Sequence, residues 1–386
     1  MKQTFSIAAS LLLAATVSTA TPTAHAVDSA PLPQIAVPKV YIVPMKGQMG
    51  TDVEPEEYDA IVEDIKKVKP DIIVIQLDAS DEDRKQPLDL SEGRANRAER
   101  SIPKINEYRD LALKFRTELR DIPQVMWVND AIGFSALMAF AWPEMYMGSD
   151  ARIWGLQQVT MLAMGWEDPD VAAKMMAAWT AAGKGFLELG GYPLPLGDAL
   201  LFPDRNLSAR WEGRKVKWTN DVDGTWIIDD NPKRTPIFTA QLAEDSGLCD
   251  GTADSLDDLM FILGYREYTK IDSGEKAIDG YIKRWRKAFE RCEELLQDVG
   301  DEGGGDERAL AKQLKTWESI LSEMERYPAV EYRLGRQYGL NKGAVKREIE
   351  QIKNQLQQIR NRERGNRTNG GNAPGGAGLG GGGNRR

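Results

Sequence analysis

The middle of the chain carries the segment Val128-Asn-Asp-Ala-Ile-Gly-Phe-Ser-Ala-Leu-Met-Ala-Phe-Ala-Trp-Pro-Glu-Met-Tyr-Met147. It begins as an apolar strand, turns at a glycine, continues as a compact helical stretch over 136–142 and ends in a second strand-like run. A turn that starts a helix leaves backbone N–H groups without intrahelical acceptors at the positive end of the helix. Nucleophilic serines occur at strand-to-helix turns of this kind, so the segment indicates a candidate functional site.

Strands and helices alternate on both sides of this segment. Short apolar runs of strand type lie at 39–44, 71–77, 123–128 and 144–147. Amphipathic helical patterns separate the first three runs, at 56–69 and 103–119. Alternation of this kind predicts βαβ units and hence an α/β domain with a mainly parallel sheet.

The patterns farther along predict a mixed remainder of this domain. Helices are expected at 171–189, 239–245 and 256–263. The runs 215–219 and 225–229 are expected to form a β-hairpin through Asp223-Gly224. We place the domain at 39–268, after an extended lead-in over 27–38.

The chain changes character after Lys270. Apolar residues recur at three- and four-residue steps through three stretches, which predicts a helical, coiled-coil-like region over 269–362. A Gly/Asn/Arg-rich tail follows at 363–386 and is expected to be disordered. Amphipathic helices are not stable alone in water, so we expect this region to mediate homo-oligomerisation.

Composition excludes several kinds of chemistry. The 386 residues are 41% apolar, enough for one large domain or two ordinary ones. The net charge of −9 argues against a nucleic-acid partner or an anionic membrane surface. The only histidine is His25, which lies in an N-terminal segment that we expect to be removed. We therefore expect no Ser–His–Asp mechanism, no histidine-ligated metal and no cofactor. Acid–base chemistry would fall to Lys, Asp, Glu, Tyr or Cys.

The N-terminus has the pattern of a signal peptide over 1–26. Lys2 precedes a short apolar stretch, and an A-x-A cleavage site ends at Ala26. A buried N-terminal helix is the alternative. No later stretch has 18 uninterrupted apolar residues, so the mature protein is expected to be soluble in the periplasm or outside the cell. Cys249 and Cys292 are expected to be two separate buried thiols rather than a disulfide.

Several spaced stretches resemble the ClpP/crotonase fold, specifically its NfeD-like and signal-peptide-peptidase-A-like branch of serine peptidases. The stretches are Val40 to Gly47, Ile73 to Asp78, Glu144 to Met147, Ala151 to Gly155, Asp168 to Lys174 and Gly247 to Leu259. Each match is short, and the resemblance rests on their order and spacing over about 37–268. It implies an α/β domain of stacked ββα units.

The resemblance also implies a site. Active members of this branch use a serine nucleophile with a lysine base, and Lys174 matches the position of that lysine. The position of the nucleophile falls on Gly133, whereas Ser135 lies two residues later. The glycine pair that holds the oxyanion in the family falls near Ala79 and Ser80, so the oxyanion region comprises Ala79, Ser80 and Gly133.

Three functions are therefore open. The departures at Gly133 and at the glycine pair favour a catalytically degenerate scaffold that binds a peptide or protein. An active Ser–Lys endopeptidase that uses Ser135 and Lys174 is the alternative, although Ser135 also fits a purely structural role at a helix start. A crotonase-type acyl-CoA enzyme is a remote third, because an export signal separates the chain from cytoplasmic acyl-CoA.

Overall fold

The computed structural model describes residues 37–80, 105–155, 168–202, 204–232, 234–301 and 306–369. The predicted signal peptide, most of the lead-in and the tail beyond residue 369 lie outside these ranges. The strands of the described residues are β1 Lys39–Gln48, β2 Ile72–Ser80, β3 Gln124–Ile132, β4 Met145–Met147, β5 Arg152–Trp154, β6 Leu207–Glu212, β7 Lys215–Thr219, β8 Trp226–Asp229, β9 Ile237–Thr239, β10 Gly251–Thr252 and β11 Thr269–Ile271.

Their helices are α1 Tyr58–Val68, α2 Ile105–Glu118, α3 Phe134–Ala139, α4 Pro169–Gly190, α5 Leu194–Leu201, α6 Ala240–Asp245, α7 Leu256–Ile262, α8 Ser273–Asp301, α9 Glu307–Arg326, α10 Pro328–Tyr338 and α11 Lys342–Asn369. A 3-10 turn at Pro55–Glu57 leads into α1. The predicted fold class, an α/β domain followed by a C-terminal helical region, is confirmed.

A largely parallel sheet forms the centre of the α/β domain. Its strands follow the order β10-β4-β3-β2-β1-β11, and every pair along this path is parallel. Strand β3 has two successive neighbours on one side: its residues 126–128 pair with β4, and residues 131–132 pair with β5. Strand β9 then pairs with β5 in antiparallel fashion. The sheet therefore divides at the carboxyl end of β3, beside the turn that starts α3.

Both faces of the central strands are buried, as continuous apolar runs predict. Alternate residues of β1 and β2, such as Tyr41 and Ile73, belong to the large core that includes residues of α1, α2 and α3. The intervening residues, such as Val40 and Val74, pack with residues of α7 in a second cluster. This alternation fixes the strand register, because a slip of one residue would exchange the two faces.

The small second sheet corrects the predicted hairpin. Strand β6 lies in the middle and pairs with both β7 and β8, so 215–219 and 225–229 do not pair with each other. The hairpin is β6–β7, because Gly213 adopts a φ of 67° in the turn between them. Asp221 accepts hydrogen bonds from Ser208, Thr219 and the backbone N–H of Asp223. These bonds hold the segment that passes the end of β6 between β7 and β8, which lie on opposite sides of β6.

Within the described residues after Ile271, the chain forms four helices where the sequence predicts three. Tyr327-Pro328 does interrupt the helical pattern, but Pro328 also occupies the first turn of a further helix, α10, where proline needs no N–H partner. The last helix continues to Asn369, beyond the predicted end at 362. Strand β11 pairs with β1 and extends the sheet to Ile271, past the predicted domain boundary.

The apolar stripes of these helices are covered within the chain. Trp285 and Phe289 of α8 pack with Ile320 of α9 and Val345 of α11 in one cluster. Ion pairs between described residues join α9 to α11, among them Glu325 with Lys346, Glu318 with Lys353 and Glu307 with Arg360. Helix α8 also packs on β1, and its Ile278 belongs to the core of the α/β domain.

The two cysteines are free and buried. Cys249 belongs to the core of the α/β domain, whereas Cys292 belongs to the cluster of C-terminal helices. Burial raises the pKa of Cys249 to about 11 and the pKa of Cys292 to about 12. The expectation of two separate thiols agrees with this arrangement.

Candidate functional site

The candidate site lies where the parallel strands β1, β2 and β3 end. Gln48 is the register partner of Ser80, and Ser80 is the partner of Ile132, so the three carboxyl ends meet at one level. Ala79 and Ser80, the predicted oxyanion residues, are the last two residues of β2. The carboxyl edge of a parallel sheet is the common place for ligands in α/β proteins.

Gly133 forms the turn between β3 and α3. It is the N-cap of α3 with a φ of 75° and a ψ of −126°, a conformation that glycine adopts without a steric penalty. Its backbone N–H donates a hydrogen bond to the carbonyl oxygen of Trp154 at 2.8 Å. The position predicted for the nucleophile therefore has no side-chain oxygen, and its backbone N–H already donates a hydrogen bond.

Ser135 is fully buried in the first turn of α3. Its Oγ lies 2.7 Å from the carbonyl oxygen of Ala79 and 3.1 Å from that of Ile132. A hydroxyl has one proton, which is shared between these two acceptors. The neighbouring Phe134 and Ala136 are buried as well. The hydroxyl therefore connects α3 to the end of β2 by a hydrogen bond.

Lys174 lies on α4 in a different environment. The helix begins at an N-cap, Asp168, whose carboxylate accepts hydrogen bonds from two backbone N–H groups of the first turn. Lys174 is exposed, and it makes no hydrogen bond or ion pair within the part of the chain that the structure describes. Lys184 on the same helix, by contrast, contacts Asp198 at 2.6 Å. The structure does not join Lys174 to Ser135 by a hydrogen bond.

Two aspartates precede the predicted oxyanion region along β2 and β3. Asp78 and Asp130 are register partners on β2 and β3, one residue before Ala79 and Ala131. Asp130 is buried, and Arg152 contacts it at 3.3 Å. Negative charge at this level opposes the charge that develops on an oxyanion.

Sequence reasoning missed a buried polar cluster next to this edge. The end of β1 contributes Gln48 and the loop after it contributes Asp52, both almost fully buried. Arg286 of α8 contacts the two carboxylate oxygens of Asp52 at 2.8 and 3.1 Å. Arg333 of α10 donates to Oε1 of Gln48 at 3.4 Å. The sequence gives no signal for Arg286, because Lys283, Arg284 and Lys287 surround it in the same helical stretch.

The same loop is joined to the rest of the site by further bonds. The backbone N–H of Met49 donates to the carbonyl oxygen of Ser80 at 2.9 Å. The hydroxyl of Tyr108 accepts from the N–H of Gly50 and donates to the carbonyl oxygen of Val53. Burial raises the pKa of Tyr108 well above its usual value. The C-terminal helices are thus connected through this loop to the end of β2.

Two features of the described residues bear on the kind of site. Within those ranges, no group of three or more His, Cys, Asp or Glu side chains is arranged to hold a metal ion. None of the helices described has the length and apolar character needed to cross a membrane.

Comparison with known proteins gives structural neighbours only. No protein-family model and no curated protein matches the chain. It is similar to the 1510-N membrane-bound stomatin-specific protease in a Lys-to-Ala mutant with a substrate peptide, at 14% identity, a TM-score of 0.36 and coverage of 59% of this chain and 80% of that chain. A Ser-to-Ala mutant of that protease is similar at 13% identity, with a TM-score of 0.37 and coverage of 59% of this chain and 85% of that chain.

The 1510-N membrane protease specific for a stomatin homolog from Pyrococcus horikoshii gives 14% identity, a TM-score of 0.34 and coverage of 59% and 79%. At TM-scores below 0.5, these likenesses carry no argument about the site. The description of the fold therefore rests on the strand order of this chain.

Proposed function

We propose that this protein is an exported, catalytically degenerate relative of the NfeD-like serine peptidases, with a ClpP/crotonase-like domain that binds a peptide or protein. The observation that carries the proposal is the hydrogen bond from the buried Ser135 hydroxyl to the carbonyl oxygen of Ala79. A nucleophile needs access to the substrate and a base within hydrogen-bond reach. Ser135 has neither among the described residues.

The oxyanion region supports the same proposal. An oxyanion is stabilised by N–H groups that point at it and have no other acceptor. The N–H of Gly133 is bonded to the carbonyl oxygen of Trp154, and Asp78 and Asp130 lie two residues before the ends of β2 and β3. Both features weaken the binding of a developing negative charge.

The carboxyl edge of the sheet is nevertheless firmly held. Three parallel strands end together, and the loop 48–54 is held in place by Asp52 and Tyr108. A site that is held rigidly loses less conformational entropy when a ligand binds. We therefore assign peptide or protein binding to this edge rather than peptide hydrolysis.

Two further parts of the proposal concern export and assembly. Export is based on the signal-peptide pattern of 1–26 and is tested by N-terminal sequencing of the protein recovered from the periplasm and the medium. Homo-oligomerisation through the C-terminal helices stays a prediction, and the internal packing of their apolar stripes gives it less support than the sequence alone did. Light scattering with and without 275–386 measures it.

The test of function compares turnover and binding in the same samples. The mature protein is given a fluorogenic peptide library, alongside Ser135→Ala, Lys174→Ala and the matched control Lys184→Ala. We expect no turnover above background in any sample, and retention of library peptides by the immobilised wild-type protein. Turnover that is lost in Ser135→Ala and Lys174→Ala but kept in Lys184→Ala would establish the active Ser–Lys endopeptidase instead.

A further inference from the structure

The loop 48–54, which starts at the last residue of β1, is buried although it carries polar side chains. Gln48, Thr51, Asp52 and Glu54 are each 2% exposed or less. Loops usually lie at the surface, where water satisfies their polar groups. A buried carboxylate is costly unless it is paired and hydrogen-bonded. The position of this loop therefore depends on partners that other elements of the fold supply.

Helix α8 supplies a charged partner. Nη2 of Arg286 contacts the two carboxylate oxygens of Asp52 at 2.8 and 3.1 Å. Oδ2 of Asp52 also accepts a hydrogen bond from the backbone N–H of Gln48 at 3.1 Å. One carboxylate thus joins the first residue of the loop to a guanidinium group of the C-terminal helices.

Helix α10 supplies a second partner, at Gln48. Nη1 of Arg333 and the hydroxyl of Thr51 both donate to Oε1 of Gln48, at 3.4 and 3.2 Å. Arg333 is 3% exposed, and its guanidinium carbon lies 5.6 Å from the ring centre of Phe289 on α8. The packing of α8 against α10 therefore places both arginines against the same loop.

The loop in turn contacts residues of the candidate site. The backbone N–H of Met49 donates to the carbonyl oxygen of Ser80 at 2.9 Å, and Gln48 is the register partner of Ser80. The carbonyl oxygen of the preceding residue, Ala79, accepts the hydrogen bond of Ser135. A continuous series of contacts therefore runs from the C-terminal helices to the carboxyl edge of the sheet. Energetic coupling between distant parts of a protein is carried by contacts of this kind.

We propose that the C-terminal helices control the carboxyl edge of the sheet, with Arg286 and Arg333 as the positioning residues that hold the loop 48–54 against Ser80. When α8 and α10 move away, the carboxylate of Asp52 loses its guanidinium partner, and the loop moves towards water and away from β2. The role of this edge in peptide binding rests on the proposed function, whereas the control of its backbone does not. By linkage, a peptide that binds only when the loop is held also stabilises the packed position of the helices.

Hydrogen–deuterium exchange of the mature protein, read by peptide mass spectrometry, tests this control without any ligand. The five N–H groups of 49–53 all have hydrogen-bond acceptors, so the loop of the wild-type protein should exchange slowly. In Arg286→Gln and Arg333→Gln, we expect exchange at 49–53 to accelerate about tenfold more than exchange at 125–128, in the centre of β3. Because Gln48 is uncharged, Arg333→Gln leaves no unpaired charge at that contact and keeps the test decisive where Arg286→Gln does not fold. Circular dichroism identifies the folded variants.

Two control variants separate the contacts of the arginines from the general stability of the C-terminal helices. Arg291→Gln removes an exposed ion pair between α8 and Glu323, and Ile320→Val removes one methyl group from the core of these helices. Both should leave exchange at 49–53 within about twofold of the wild-type rate. Equal acceleration at 49–53 and 125–128, or an effect of Ile320→Val as large as that of Arg286→Gln, overturns the proposal.

Retention of library peptides by the immobilised proteins is the second readout. We expect Arg286→Gln and Arg333→Gln to retain about fivefold less peptide than the wild type or Arg291→Gln. Accelerated exchange with unchanged retention would show that the helices do not control binding, and it overturns the proposal. A wild-type protein that retains no peptide contradicts the proposed function instead, and the exchange measurement still decides whether the helices control the loop.

Discussion

Ser135 donates its buried hydroxyl hydrogen bond to the carbonyl oxygen of Ala79 at 2.7 Å, which joins the first turn of α3 to the last residues of β2. The serine that the sequence offers as a nucleophile is thus bonded to a residue of the predicted oxyanion region. A bond between these two positions stabilises the turn. It also occupies the only hydroxyl in the strand-to-helix turn of this segment.

Replacing Ser135 with alanine should lower the free energy of unfolding and leave peptide turnover at background. The substitution leaves the buried carbonyl of Ala79 without this donor, a loss of about 1–3 kcal/mol in the free energy of unfolding. Urea denaturation measures the change. Ser149→Ala, at an exposed position, is the control and should shift stability by less than about 0.5 kcal/mol. A Ser135→Ala protein as stable as the wild type would contradict the assigned role.

Placing a serine at position 133 should not produce catalysis. The backbone there has a φ of 75°, so a side chain introduces strain of about 1–3 kcal/mol. One missing oxyanion donor alone lowers a rate by about 10²–10³. We expect Gly133→Ser to be less stable and to show little turnover with fluorogenic peptides. Gly213→Ser, at a φ of 67° in an open turn, separates the effect of strain from that of the site. Robust turnover by Gly133→Ser would show that the oxyanion region is intact.

The contact between Asp52 and Arg286 should contribute more to stability than the ion pairs between α9 and α11. Asp52 is 2% exposed, and removing one partner of a buried pair costs about 3–5 kcal/mol. Arg286→Ala in urea denaturation measures this cost, and the double mutant with Asp52→Asn isolates the coupling. Lys353→Ala, which breaks an exposed pair with Glu318, should cost about 0–1 kcal/mol. Equal effects of Arg286→Ala and Lys353→Ala would rule out an anchoring role for Arg286.

The buried cysteines should make stability fall at alkaline pH. Burial raises the folded-state pKa of Cys249 to about 11 and of Cys292 to about 12, above the usual value for a thiol, about 8.5. Because the folded-state pKa is raised, the contribution of each thiol to folding stability is fully present below its unfolded-state pKa. This contribution is lost as the pH rises towards the folded-state pKa. Urea midpoints between pH 8 and pH 11 test this trend, and Cys249→Ala with Cys292→Ala should reduce it.

The same thiols offer an independent check by chemical labelling. Both should react slowly with a thiol reagent in the native protein and quickly in urea, because access and the thiolate fraction are both low when folded. Fast labelling of either cysteine under native conditions, or a mass that indicates a disulfide, would disagree with this structure.

The strand–helix alternation was predictable because it follows from local periodicity. The runs at 39–44, 71–77 and 123–128 all became strands of one parallel sheet, since each is apolar enough to be buried on both faces. The hairpin at Asp223-Gly224 was wrong for a physical reason. Asp221 accepts hydrogen bonds from Ser208 of β6 and Thr219 of β7, and the chain then crosses the end of β6 to form β8 on its other side. A local turn pattern does not predict this crossing.

The site was less accessible to sequence reasoning. The turn at Gly133 and its helix were visible in the pattern, but the partner of Ser135 lies 56 residues away in the sequence. The contact between Asp52 and Arg286 spans 234 residues, and pairing at that separation depends on the packing of α8 on β1. Residue types alone could not assign either partner.

The central claim is that Ser135 is a structural residue and not a nucleophile. Incubation of the mature protein with a serine-directed fluorophosphonate, followed by peptide mass spectrometry, tests it most directly. We predict no adduct at Ser135 in the folded wild-type protein under conditions that label an active serine hydrolase completely. An adduct at Ser135 that disappears in Lys174→Ala but persists in Lys184→Ala would contradict the account and establish an active Ser–Lys site.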